Sequence, residues 1–150
     1  MSTIVQVKPG RQWQHCRVAP SALALMESAR HGLAAAEDET AVAARYVGAH
    51  LAALRAAAAV VAARAEPPGG RRRRPQSVWE LLPKVEPALT EWAAFFAAGA
   101  AKRAAAEAGL PRAVAGHEAD DLLRDAGTFV SLAEGALGIQ QQPLPLQTAG

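Results

Sequence analysis

The chain has 150 residues, the size of one ordinary domain able to bury a real core, and 38 of them are alanine. Aromatic residues make up only 5% and β-branched residues are few, which excludes a fold built on long strands. The formal charge of +2 becomes −2 once Arg71 to Arg74 are set aside, which excludes a uniformly basic surface and leaves one local basic block.

Alanine is the strongest helix former, so the expected class is all-α, with close helix packing through small side chains. Thirteen arginines against three lysines suit a GC-rich bacterial genome as well as any functional demand. A single cysteine, Cys16, excludes an intramolecular disulfide and a thiolate zinc cluster. The stretch "MSTIVQVKPGRQWQHC" has no continuous apolar run and does not read as a signal peptide, so the cytoplasm is the default location.

Residues 1–19 lack a period, contain Pro9 and Gly10, and read as a flexible arm. A first helix is predicted to begin near Pro20 or Ser21, carry the stripe Leu25, Met26, Ala29 and Leu33, and end around Glu37. The acidic "EDET" turn follows, with Thr40 or Asp38 as the next N-cap. The second helix is predicted from about Thr40 to Ala65. Val42, Tyr46, Leu51, Leu54, Val60 and Val61 spread over a broad apolar arc, with Arg45 and Arg55 opposite. An arc that wide touches more than one neighbour, which implies a bundle. Its run "AHLAALRAAAAVVAARA" is mostly alanine and is interrupted by Arg55, too weakly apolar on this reading for a membrane span.

"EPPGGRRRRPQ", residues 66–76, breaks that helix and forms a basic, Pro/Gly-bounded loop. Ser77-Val-Trp-Glu80 matches a capping box, so a short helix is predicted to start there and drive Trp79 and a leucine inward. Pro83 ends or kinks it within about two turns. Pro87 suits the first position of the next helix, predicted to continue to about Gly109 with the stripe Leu89, Trp92, Phe96 and Gly99. Phe95 lies beside the stripe and Arg103 continues it; the favoured reading is an arginine that snorkels and caps carbonyls or pairs with a carboxylate such as Asp120 or Asp121, and the alternative is phosphate binding. Gly109 and Pro111 mark the next connection, and a last helix is predicted over His117 to Leu137 through Leu122, Ala126, Phe129, Val130 and Ala133. The tail, 138–150, is Gln- and Pro-rich and reads as disordered.

Phosphate-cradling glycine loops, HExxH, paired CxxC and GxSxG are all absent. The histidines at 15, 31, 50 and 117 share no i,i+4 spacing, and the adjacent His15 and Cys16 make an incomplete metal site. No cofactor and no metal are therefore expected.

Two segments carry a family resemblance. "ARYVGAHLAALRAAAAVVAAR", residues 44–64, is similar to a helix of HEPN domains, the higher eukaryote and prokaryote nucleotide-binding superfamily. "QSVWELLPKVEPALTEWAAFFAAGAAKRAAAEAG", residues 76–109, is the more specific and resembles an actinobacterial branch of uncharacterised activity. The resemblance covers roughly residues 21–137 and implies an HEPN-like antiparallel bundle of four main helices plus the short one. It also implies association with RNA or a protein partner, commonly as a homodimer, without a membrane.

Ribonucleases of the superfamily carry Arg-x(4–6)-His, in which arginine steadies phosphate charge and histidine does acid/base work. Two literal matches occur, Arg45 with His50 and Arg112 with His117. On a regular helix, residues five apart are separated by about 140°, so Arg45 and His50 face different ways. His50 falls in the apolar arc and reads as a hydrogen-bonded core histidine. Arg112 and His117 flank a loop-to-helix junction beside Glu118, Asp120 and Asp121, acids that repel RNA. No catalytic residue is therefore assigned. The leading expectation is a non-catalytic HEPN domain with Arg71, Arg72, Arg73 and Arg74 as the nucleic-acid contact. The alternatives are a ribonuclease toxin using one of the two pairs, and a structural helical adaptor.

Overall fold

The computed structural model describes residues 18–64 and 76–139. The expected arm, basic loop and tail lie almost wholly outside these ranges. The described chain forms helices α1 (Pro20–Asp38), α2 (Val42–Arg64), α3 (Val78–Val85), α4 (Thr90–Ala98), α5 (Ala100–Glu107) and α6 (Gly116–Ala136), with a 3₁₀ turn at Pro87–Leu89. Among the described residues there is no strand. This is the expected all-α, HEPN-like bundle.

α2 is the hub. It packs against α1, α6, α3, α5 and α4. The reason lies in its composition: Ala49, Ala52, Ala53, Ala56, Ala57, Ala59 and Val60 are all fully buried, on faces that point in several directions. Methyl side chains let neighbouring backbones come close, and a Cβ placed on Gly48 would stand 3.1 Å from that of Ala36 on α1. The sequence reading underrated the apolar character of this helix. By length and composition alone α2 is apolar enough to cross a membrane, but half of its most apolar window is buried inside the bundle.

Helix boundaries follow local chemistry. Pro20 opens α1 at its first turn, where a missing N–H costs nothing. Neither Thr40 nor Asp38 caps α2 as expected. The chain between α1 and α2 is held instead by the Glu39 carboxylate, which accepts the Ala41 N–H at 3.3 Å. Ser77 does cap α3, its hydroxyl accepting the Glu80 N–H at 3.2 Å. That cap sets the rotation that puts Trp79 and Leu82 in the core. Pro83 sits inside α3, which stops two residues later.

The helix predicted from Pro87 to Gly109 is not continuous. It breaks at Gly99 into α4 and α5, with the Gly99 N–H turning back to the Phe96 carbonyl at 3.1 Å. α5 ends in a Schellman turn: Gly109 at φ +73° donates to Ala106, and Leu110 donates to Ala105, both at 3.1 Å. α6 ends the same way, with Gly138 at φ +72° and the Ile139 N–H reaching Glu134 at 2.9 Å.

Trp79, Trp92, Phe96 and Phe129 fill the centre from three elements, α3, α4 and α6. Trp79 stacks on Phe96 with ring centres 5.3 Å apart, and Phe129 meets Phe96 edge-on at 5.1 Å. Burying one such ring contributes about 1.5–3 kcal/mol, so this cluster fixes how α4 and α6 lie on α2.

Candidate functional site

The two Arg–His pairs end in different surroundings. The Arg45 guanidinium binds Asp120 of α6 at 2.9 Å, so its charge is already answered within the bundle. His50, one position over four further along α2, is fully buried. Its ring lies edge-on to Trp79 and Phe96, with centres 6.1 and 5.9 Å away, and its Nε2–H donates to the Phe96 carbonyl at 2.8 Å. A carbonyl only accepts, so Nε2 carries the proton and Nδ1 is left buried without a partner. Burial pushes the His50 pKa below its usual value, and Arg103 adds to that. The bond to the Phe96 carbonyl and the charge of Glu107 oppose it. Neutral, fully buried and hydrogen-bonded to backbone, His50 sits as a core histidine.

Arg112 and His117 are both exposed, on either side of the connection between α5 and α6. Arg112 has φ +61°, a left-handed conformation that costs about 1–2 kcal/mol for a residue with a Cβ. His117 is the second residue of α6, next to Glu118. Arg103 meets a carboxylate, as the sequence reading expected, though it is neither Asp120 nor Asp121. Asp120 is taken by Arg45 and Asp121 by Arg124, and Arg103 instead stands 3.9 Å from Glu107, one turn along its own helix. Arg71 to Arg74 lie outside the described residues.

The bundle has a small cavity at the Gly99 break, of about 260 Å³. Phe95, Phe96 and Leu122 give it apolar walls, and Tyr46, His50 and Lys102 supply its polar ones. Gly99 lets the side chains of α2 pack closely against the break. A Cβ there would stand 3.2 Å from the Tyr46 hydroxyl and 3.5 Å from the His50 ring. Lys102 is ion-paired with Glu118, whose other oxygen accepts the Ala115 N–H at 3.1 Å and so caps α6. The hydrogen bond from Lys102 lowers the Glu118 pKa, helped by the Ala115 N–H, and the same bond raises that of Lys102. Burial raises the Tyr46 pKa against the opposing charge of Lys102. The phenol is therefore a neutral donor at pH 7.

Sequence reading placed Tyr46 only in an apolar arc and Glu118 only in a first helical turn. Their meeting with Lys102 joins three helices and has no local signature. The one hint was a glycine on the otherwise bulky stripe of α4. A second, more open groove of about 380 Å³ runs between α1 and the end of α6. Arg30 crosses its floor, binding the buried carboxylate of Glu134 and the Ser131 hydroxyl, the latter at 3.1 Å. Among the described residues, no group of three or more His, Cys, Asp or Glu side chains is placed to hold a metal ion.

An all-α bundle organised on one alanine-rich hub helix, with a capped aromatic helix packed against it, defines a class of helical domain. The family model described as SAV_6107-like HEPN matches residues 35–134, two-thirds of the chain: all of α2 to α5, the last four residues of α1 and all but the last two of α6. The chain belongs to that HEPN family. Neither a curated protein nor a solved structure matches it.

Proposed function

We propose that this protein is a non-catalytic, cytoplasmic HEPN domain that acts by binding a partner, RNA or protein, as a homodimer. One observation carries the non-catalytic reading. Within the match on α2, Arg45 is committed to Asp120 and His50 to the Phe96 carbonyl, so arginine and histidine do not converge. A general acid or base must come within hydrogen-bond reach of the proton it moves, and a fully buried His50 does not. The RNA part of the reading rests on the sequence of Arg71 to Arg74, four adjacent cations on a chain otherwise slightly acidic.

The second reading, a ribonuclease, is favoured by one fact: Arg112 and His117 are both exposed and flank one short connection. An RNA-cleavage assay on the purified protein separates the two. The expected result is no cleavage. Cleavage that disappears in His117→Ala or His50→Ala would establish the ribonuclease. RNA binding at low salt is expected to weaken when Arg71 to Arg74 are changed to alanine, with the salt dependence of log K shallower by up to about 3. Absence of RNA binding at low salt would leave protein as the partner.

A further inference from the structure

We infer that the groove between α1 and the end of α6 is the docking site of this chain's own tail, through the Pro-Leu-Pro-Leu stretch at residues 143–146. The groove holds about 380 Å³, and α1 supplies one side of it with Leu23, Met26, Glu27, Arg30, His31 and Ala34. Glu134 and Ile139 supply the other. Leu23 is 37% exposed there, an apolar side chain that the described residues leave uncovered. The way the chain leaves α6 points to the occupant. The turn at Gly138, with φ +72°, ends the helix, and the Ile139 N–H returns to the Glu134 carbonyl at 2.9 Å. Ile139 is the last described residue, and it already lines the groove. Residues 140 onward therefore set out from inside the site.

Length and composition both fit. The groove face of α1, from Leu23 to Ala34, is about 16 Å long at a rise of 1.5 Å per residue. Pro143 and Pro145 bias the tail towards polyproline II, in which the seven residues 140–146 reach about 22 Å. That is enough to follow the whole face. Leu144 and Leu146 bring apolar surface to Leu23, Met26 and Ala34, while the prolines lose little entropy on ordering. Residues 140–150 carry no charged side chain, so docking buries no new charge beside the Arg30–Glu134 pair. The N-terminal arm, by contrast, would bring Lys8, Arg11 and Arg17 towards Arg30. Arg30 spends its Nε and Nη2 donors on Glu134 and Ser131. Its two Nη1 donors have no acceptor among the described residues and suit the carbonyls of a proline-rich segment, which makes no internal hydrogen bonds. Tethering offsets a weak contact. A short linker gives an effective concentration on the order of mM, so docking with mM affinity is about half populated.

The test is paramagnetic relaxation in NMR spectra of the full chain, with Cys16→Ser removing the native thiol and Thr148→Cys carrying a nitroxide. The label is expected to broaden the amides of Leu23, Glu27, Arg30 and Ala34, while those of α3 and α4 keep their intensity. An undocked tail of the same length also sweeps past the end of α6, so the deciding comparison is Leu144→Ser with Leu146→Ser in the same labelled chain. There the broadening at Arg30 and Ala34 should fall by at least about twofold, and Leu23→Asp, at an exposed position, should do the same. The proposal is overturned if the α1 amides are not broadened, or if their broadening survives either set of substitutions unchanged. A nitroxide at Ser2→Cys that broadens this face more strongly than the tail label assigns the groove to the arm and overturns it. So does broadening of isotope-enriched, unlabelled protein by an equal amount of spin-labelled protein, because the occupant is then a second copy.

Discussion

His50 and Phe96 are joined by a 2.8 Å hydrogen bond from an imidazole Nε2–H to a backbone carbonyl, and it lies where α4 stops. The bond ties the middle of the hub helix to the break at Gly99, so one residue serves both the core and the cavity beside it. His50 belongs to a literal Arg-x4-His match, yet its chemistry here is structural.

The burial of His50 makes stability depend on pH, with the bond to Phe96 opposing the effect. The folded pKa of His50 lies below 6.5, so the unfolded chain takes up the proton first. The stability that His50 contributes is fully present above pH 6.5 and declines as pH falls from there through the folded value. The charged groups acting on it are Arg103 and Glu107, both on α5. Denaturant unfolding at pH 7.5 and pH 5.5 should show this decline, and His50→Leu should lack it. At pH 7.5 that variant should be less stable by about 1–3 kcal/mol, because the Phe96 carbonyl loses its side-chain donor in the core. An unchanged pH profile in the variant would assign the effect to other groups. Loss of the Lys102–Glu118 contribution falls in a separate window, below pH 4.5, since the Glu118 pKa is lowered from that value.

The closeness of α1 and α2 is tested at Gly48, with Gly135 on α6 as the contrasting position. Gly48→Val must push a branched side chain against Ala36, whose Cβ would be 3.1 Å away, and is expected to cost about 1–3 kcal/mol. Gly135→Ala meets nothing within 4 Å on an exposed helical position and should stabilise by up to about 1 kcal/mol. Thermal unfolding of the two variants should therefore move in opposite directions.

Ser77→Ala removes the cap of α3 and is expected to cost about 1 kcal/mol. Because α3 carries Trp79 and Leu82 into the core, the loss should appear in global unfolding monitored by circular dichroism. Ser77→Asp should restore most of it, which a general packing defect would not allow.

The Arg30–Glu134 pair is partly desolvated: the carboxylate side chain is 9% exposed and the guanidinium 30%. Arg30→Met leaves a buried carboxylate without its cation and should destabilise more than Glu134→Gln, which leaves the cation nearer to water. Chemical denaturation of both variants reads the order, and the reverse order would mean that the pair is not held in solution.

How far the fold was legible varied with the kind of signal. The cap at Ser77, the proline start at Pro87 and the glycine stop at Gly109 each depend on a few adjacent residues, and each is in place. The expected cap of α2 is not formed: Asp38, Glu39 and Thr40 are all able to accept a hydrogen bond, and the path of the chain gives that role to Glu39, which accepts the N–H of Ala41 just before the helix. The break at Gly99 was missed for a related reason. Alanines on both sides favour helix, and it is Tyr46 and His50 approaching from α2 that require the glycine.

Composition and periodicity by themselves determined an all-helical chain, its turns, and the burial of Trp79, Phe96 and Phe129, because these follow from backbone propensity and one-dimensional spacing. The two segments flanking the basic loop carried the HEPN resemblance. What only the tertiary structure decided is which charges meet. Arg45 goes to Asp120, Lys102 to Glu118 and Arg30 to Glu134, while Arg103 stays on its own helix. Those pairings depend on helix rotation and axial offset, quantities set by the packing of alanine faces and aromatic rings across the bundle. No stretch of sequence encodes them locally.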